Sequence, residues 1–261
     1  MRSELPRIIA LVNQKGGVGK STTAVNLGAA LAVSGRRVLI VDSDPQGNAT
    51  TGLGIDKTQV VHDTYDVLLH GTAARAAIVP TELETLHLLA ATIDLAGAEI
   101  ELVSALSRET RLRQALAPVA GDYDFVLIDC PPSLGLLTVN ALTAASECLI
   151  PVQAEYYALE GLSQLVAVVG RVREALNPEL RVGGVLVTMF DGRTRLAGEV
   201  LDELMKFFPR EMFKTQIPRN VRISEAPSFG RPVVLFDIKS RGAQAYLALA
   251  REMLDAERMA S

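Results

Sequence analysis

Residues 15–22 read Lys-Gly-Gly-Val-Gly-Lys-Ser-Thr, a run whose chemistry is the holding of phosphate. Gly16, Gly17 and Gly19, with Val18 between them, let the backbone turn its N–H groups inward around an anion without a Cβ in the way. The apolar stretch Ile8–Asn13 precedes the run and a helix-forming stretch follows it. A helix N-terminus is thereby aimed at the same anion. Lys20 is spaced to reach the β- and γ-phosphates of ATP, and the Ser21 hydroxyl to ligate Mg2+, with Thr22 closing the cradle. A glycine turn before a helix with a chance Gly-Lys-Ser is the bland alternative, and strand, loop and helix in the required order speak against it. Gln14 stands where the ordinary pattern has its first glycine, and Lys15 adds a second lysine beside the loop.

Three aspartates could serve the same chemistry. Asp42 and Asp44 close the apolar run Arg37–Asp42 in the string DSDPQGN. Spacing alone leaves them as solvated turn acids or as groups that hold a metal and an attacking water in line. Asp129 ends the apolar run Phe125–Asp129 and is followed by Cys130-Pro131-Pro132. An acid at the end of such a strand suits the holding of Mg2+ through water.

These groups need a frame that brings strand ends together. Strands are expected at Ile8–Asn13, Arg37–Asp42, Phe125–Asp129, Cys148–Val152 and Val182–Thr188, with another around Leu86–Ala90. Helical stretches fall near Ser21–Ser34, Glu109–Val119, Leu136–Ala145, Leu159–Leu176, Arg195–Phe208 and Gln244–Met259. Near-continuous Val/Ile/Leu strands alternating with helices predict an α/β, doubly wound, mostly parallel sheet with helices on both faces. Ligands of such sheets gather at the carboxyl ends of the strands, where all of these motifs fall. Residues 51–98 are the least regular part, and the whole chain, 1–261, reads as one domain.

The composition, 49% hydrophobic and 21% charged, is that of a globular chain. No apolar run reaches the length of a membrane span, so a cytoplasmic protein is expected. Cys130 and Cys148 lie in apolar strings and read as reduced, buried thiols. The net charge of −4 does not advertise nucleic-acid binding, but between Met189 and Arg241 ten Lys/Arg stand against seven Asp/Glu. A local basic face matters more than the total to a polyanion.

The segments NQKGGVGKSTTAVNLGAALA, DSDPQGNATTGLG, LAGAEIELV, DYDFVLIDCPPSLGLLTVNAL, PVQAEYYALEGLSQL and IPRNVRISEAPSFG resemble, in the same order, those of the Soj/ParA chromosome-partitioning ATPases. KGGVGKST is similar to the deviant Walker A motif of the wider ParA/MinD/nitrogenase-iron-protein group. The resemblance implies a P-loop fold and an ATP hydrolase of slow intrinsic turnover. It implies an ATP-dependent homodimer in which Lys15 crosses to the partner's nucleotide, and places Glu155 at the dimer face. Asp44 would orient or deprotonate the attacking water, and Asp42 would support the Mg2+ shell. Pro218 and Asn220 would contact adenine. Arg193 and Arg222 match positions that bind double-stranded DNA non-specifically, and Arg195 and Arg219 lie in the same basic segment. A ParB/Spo0J-type centromere-binding protein would stimulate hydrolysis, and the protein would be nucleoid-associated. Seven residues precede the first strand, so an N-terminal helix-turn-helix for operator binding is not expected.

Two other functions of the wider group fit less well. A MinD-type membrane regulator needs a basic amphipathic C-terminal helix, whereas AYLALAREMLDAERMAS mixes acids with bases. A cluster-bearing iron protein needs two ligand cysteines, and Cys130 and Cys148 are wrongly placed for that.

Overall fold

Strands made almost wholly of Val, Ile and Leu cannot leave either face to water, and here both faces are covered. The computed structural model describes residues 6–155 and 158–260. Tyr156 and Tyr157, inside the quoted PVQAEYYALEGLSQL segment, lie outside them. The strands are β1 (Arg7–Leu11), β2 (Val38–Asp42), β3 (Ile78–Pro80), β4 (Leu86–Leu89), β5 (Phe125–Asp129), β6 (Glu147–Gln153) and β7 (Arg181–Thr188). They form one sheet in the order β3-β4-β2-β5-β1-β6-β7. Every adjacent pair is parallel except β3 against β4.

The helices are α1 (Lys20–Val33), α2 (Asn48–Gly52), α3 (Ala74–Ala77), α4 (Leu95–Glu101), α5 (Arg111–Ala120), α6 (Leu136–Ala144), α7 (Ala158–Ala175), α8 (Arg195–Phe207), α9 (Val221–Glu225), α10 (Val233–Phe236) and α11 (Arg241–Ala260). One core joins α1, α10 and α11 to the sheet through Leu27, Leu31, Ile40, Leu127, Val233 and Tyr246. The other joins α5 to α8 through Val41, Ile128, Leu116, Leu137, Leu165 and Leu204. The doubly wound parallel fold is thus as the alternation of runs implies.

Chain order fixes where a ligand can sit. From β1 the chain moves toward β2, and from β5 it moves to β6 on the other side, yet β1 and β5 are neighbours. The loops leaving these two strands therefore part, and a crevice opens at their carboxyl ends. The loop after β1 is residues 12–19, and the loop after β5 carries Cys130-Pro131-Pro132.

Three local differences from the sequence expectation have physical causes. β1 ends at Leu11 rather than Asn13, because Asn13 spends its side chain on the loop: its Nδ2 donates to the Pro151 carbonyl (2.8 Å) and its Oδ1 accepts from the Lys15 N–H (3.0 Å). The apolar residues before Pro218, which the sequence also reads as a short strand, form isolated bridges to β7 and its following loop instead. β3, a three-residue antiparallel edge, is too short to leave a periodic signal. No helix of the described residues is long and apolar enough to cross a membrane.

Candidate active site

The loop after β1 is shaped by backbone only glycine adopts easily. Gly17 and Gly19 have φ of +75° and +89°, in the left-handed region where a Cβ is disfavoured. Gly19 directly precedes α1, so Lys20 is its first residue. The Thr188 hydroxyl, at the end of β7, donates to the Val18 carbonyl (2.8 Å) and pins the loop from the other side. The first turn of α1 holds no acidic residue, so its N–H groups face the crevice without a neutralising side chain. Lys20 is only 6% exposed. Burial lowers its pKa, opposed by the nearby Asp129, Cys130 and Asp44. Its Nζ makes one long bond, to the Lys15 carbonyl (3.4 Å). An anion in the loop would give this buried ammonium the partner it lacks.

The carboxylates stand opposite. Asp42 and Asp129 are register partners on β2 and β5, and both are fully buried. Asp42 is satisfied by its own chain. Its Oδ2 accepts from the Thr50 N–H (2.8 Å) and hydroxyl (2.7 Å), and its Oδ1 from the Asp44 N–H (3.2 Å). Burial nevertheless pushes its pKa up to about 6, against the pull of those bonds. Asp129 has no hydrogen-bond partner on either oxygen among the described residues. Burial raises its pKa well above the usual range and the Asp42 carboxylate adds to this, while Ser21 and Lys20 draw it back. A buried acid without partners marks a place for an ion or ordered water. The donor set, one orphan carboxylate beside a serine hydroxyl, fits Mg2+, a hard cation that keeps much of its water and shares substrate phosphates. Among the described residues no group of three His, Cys, Asp or Glu could cage an ion by itself.

A cavity of about 400 Å3 opens beside the loop, and the fully buried Asp42 and Asp129 are not among its lining residues. Gly16, Gly17, Gly19, Lys20, Ser21 and Thr22 line one wall and Asp44, Asn48 and Pro132 another. Asp44 is itself nearly buried, and its Oδ1 accepts from the Gln46 N–H (2.9 Å). A larger cavity, about 620 Å3, opens between residues 67–75 and α5. Its arginines are already engaged, Arg75 with Asp122 and Arg111 with the Leu68 and Leu106 carbonyls. The chemistry lies in the smaller one.

The remaining sequence-derived residues lie outside that cavity's lining. Lys15 is half-exposed and its Nζ pairs with Glu155 of the same chain (2.5 Å). Asn220 caps α9, its Oδ1 accepting from the Arg222 N–H (3.1 Å), and Pro218 bridges to Phe190. Arg193 pairs with Asp191, Arg195 with Glu199, and Arg222 with Glu225 and Asp237. Arg219 is exposed. Met189, Pro227 and Arg231 line the cavity instead. Sequence reasoning also missed Thr50 and Glu99. The Glu99 carboxylate accepts from the Leu136 and Leu137 N–H groups (2.9 and 3.3 Å) and so caps α6, just after the loop that follows Asp129. The only trace of Glu99 in the sequence is its place in LAGAEIELV.

A parallel sheet with a glycine loop, a buried lysine and strand-end aspartates meeting at its reversal point defines the P-loop nucleotide hydrolases. Residues 6–182 match the AAA_31 family, described as an AAA domain. The sporulation initiation inhibitor protein Soj of Bacillus subtilis is 58% identical over 95% of this chain and 98% of its own length. The chromosome partitioning protein ParA of Myxococcus xanthus is 54% identical over 95% of this chain and 88% of its own. Among solved structures, a protein titled cobyrinic acid a,c-diamide synthase from Mycobacterium smegmatis, with bound ADP and magnesium, superposes with a TM-score of 0.86 at 40% identity, covering 98% of this chain and 97% of that one. The septum site-determining protein MinD of Pyrococcus horikoshii, complexed with Mg-ADP, gives a TM-score of 0.77 at 29% identity over 95% of this chain and 96% of its own. The chain belongs to the Soj/ParA family of chromosome-partitioning ATPases.

Proposed function

We propose that this ATPase moves DNA by a nucleotide-gated cycle: ATP and Mg2+ pair two copies, the pair binds double-stranded DNA without sequence preference, and hydrolysis, stimulated by a ParB-type partner, releases it. The observation that carries the reading is a complementary pair of deficits at the carboxyl ends of β1 and β5. Lys20 and the α1 N-terminus lack an anion, and Asp129 lacks a cation. A Mg·triphosphate supplies both. Bound Mg2+ would draw charge from the phosphate oxygens. Within the chain, Lys20 and the loop N–H groups hold the β- and γ-phosphates, Ser21 and Asp129 hold the metal's side of the site, and Asp44 orients the attacking water. The structures solved with ADP, magnesium or an ATP analogue support that occupancy. Adenine would rest toward Pro218 and Asn220, in keeping with the resemblance.

Lys15 supports the paired state. Half-exposed at the cavity edge, with only an exposed ion pair to hold it, it exchanges Glu155 for a partner's phosphate at little cost. Arg193, Arg195, Arg219 and Arg222 are surface groups suited to phosphate contact rather than base reading. Three of them are paired with acids of their own chain, so one copy alone should bind weakly. Two copies double the contacts, and counterion release makes affinity climb steeply with contact number. The mycobacterial synthase name is carried at 40% identity and the partitioning names at 48–54%, and the reading follows the latter.

The test is DNA binding with ATP, ADP or no nucleotide across a salt series. Binding should need ATP, weaken steeply with salt, vanish in Lys20→Ala and drop about tenfold or more in Arg222→Ala. Binding of equal strength in all three nucleotide states would sink the cycle.

A further inference from the structure

Asp42 and Asp129 sit side by side at the carboxyl ends of β2 and β5, both out of contact with solvent, yet their oxygens are used in opposite ways. Those of Asp129 are bare, while those of Asp42 are occupied by its own loop. We infer that Thr50 is a positioning residue for ATP hydrolysis, clamping Asp42 and thereby fixing the turn that aims Asp44 into the cavity. The inference deepens the proposed function, since it rests on Asp44 acting at the scissile phosphate.

The clamp is a closed circuit of buried bonds. Thr50, eight residues beyond Asp42, gives both its N–H and its hydroxyl proton to Asp42 Oδ2. Its Oγ1 in turn accepts from the Ala91 N–H (3.0 Å), just past the end of β4. The Thr64 hydroxyl shares its one proton between the Asp42 carbonyl (2.7 Å) and the Ala90 carbonyl (2.9 Å). Asp42 Oδ1 then holds the Asp44 N–H (3.2 Å), the Asp44 carbonyl accepts from the Gly47 N–H (2.8 Å), and Gly47, at φ +58°, leads into α2, which returns the chain to Thr50. Both threonines are fully buried. Residues 42–50 are therefore a loop stitched at its two ends, through Thr64 and Thr50, to Ala90 and Ala91 just past β4, with Asp44 on the span between the stitches. A carboxylate accepting three donors is poorly disposed to leave them for a metal, so Asp42 serves better as the anchor of this loop than as a ligand. Rigid support of a reacting group matters steeply: a displacement of about 1 Å costs on the order of a hundredfold in rate.

The experiment compares Thr50→Val, which keeps the shape and loses the hydroxyl, with Thr50→Ser, which keeps both bonds. Steady-state phosphate release, ATP affinity by a fluorescent analogue, and melting temperature are read on the full chain. The wild type and Asp44→Ala are measured alongside. Thr143→Val, whose parent hydroxyl is buried with no partner, controls for loss of any interior hydroxyl. Thr50→Val should lower kcat roughly ten- to hundredfold with ATP affinity within about threefold of wild type, and Thr50→Ser should recover most of the rate. Should Thr50→Val fail to fold, Thr50→Ala, which also removes the hydroxyl, carries the same expectation. The inference is overturned if kcat stays within about threefold of wild type, if the serine variant is as slow as the valine, or if affinity and rate fall together. Undiminished turnover in Asp44→Ala would instead overturn the reading beneath it.

Discussion

Two buried acids at opposite ends of the sheet show what each end is for. Glu147 opens β6 and is 2% exposed. The strands on either side bring it an arginine each, Arg7 from β1 (2.5 Å) and Arg181 from β7 (2.7 Å). Gly183 leaves room for it, since a Cβ there would meet its Oε2 at 2.5 Å. Asp129 closes β5, and the strands on either side bring it Leu11 and a second aspartate, Asp42. Burial of a charge is tolerable at the amino end because neighbours compensate it, and intolerable at the carboxyl end unless something arrives from outside. The lesson is that the fold compensates its buried acid at one rim and leaves the buried acid at the other uncompensated, so that a metal and an anion find unmet partners there.

The comparison is broken most directly at its functional end. Asp129→Asn keeps the shape and removes the charge. Phosphate release should fall by at least roughly a hundredfold, because the group that holds the metal's side of the site is lost. The nucleotide-free variant should melt no lower than its parent, because burial already disfavours the charge of this carboxyl and holds its pKa well above the usual range. A variant that hydrolyses ATP normally, or one that melts well below wild type without nucleotide, would show that Asp129 is structural after all.

The amino end should answer with the opposite pattern. Glu147→Gln leaves Arg181 without a counter-charge and Arg7 with Glu257 alone (3.2 Å), at a cost of about 1–2 kcal/mol, modest because both arginines keep some contact with water. That corresponds to a fall in melting temperature of roughly 2–8 °C for a chain of this size, while phosphate release per folded molecule is unchanged. A drop in turnover at constant stability would mean that the two ends are coupled.

The two ends were not equally legible in the sequence. The loop 15–22, Asp42, Asp44 and Asp129 announce themselves because the phosphate chemistry demands a strand, a turn and a helix in immediate succession, and the strands because they are continuous and apolar. Nothing local announces the clamp on Glu147, whose arginines lie 140 and 34 residues away in the chain. That meeting is fixed by strand order. Thr50 is hidden for the same reason, as its bond to Ala91 depends on β4 lying beside β2. Pro218 and Asn220 were assigned by resemblance to the adenine, and what the fold shows of Asn220 is a second duty, the capping of α9. The arginines of the basic segment were legible as positive charge, whereas their pairing with Asp191, Glu199 and Glu225 follows from how short loops and helices turn.

The smallest effect sharpens the comparison without altering either acid. Each is followed in sequence by a buried cysteine, Cys130 after Asp129 and Cys148 after Glu147. Burial pushes the Cys148 thiol up to about 12 and Cys130 well above its usual value, the Asp129 charge adding to the latter. Since the thiolate is the reactive form, both should be slow toward a thiol reagent at pH 8 and fast in urea. Reaction in the native state then reports local opening. The end with unmet charges should open more readily, so without nucleotide Cys130 is expected to react roughly three- to tenfold faster than Cys148. Mg·ATP should slow Cys130 and leave Cys148 alone, because ligand binding stabilises the closed form of the end it occupies. Peptide mapping of the labelled protein distinguishes the two sites. Equal rates, or nucleotide protection of both thiols alike, would show that stability is spread evenly along the sheet and that the contrast between its rims is one of charge alone.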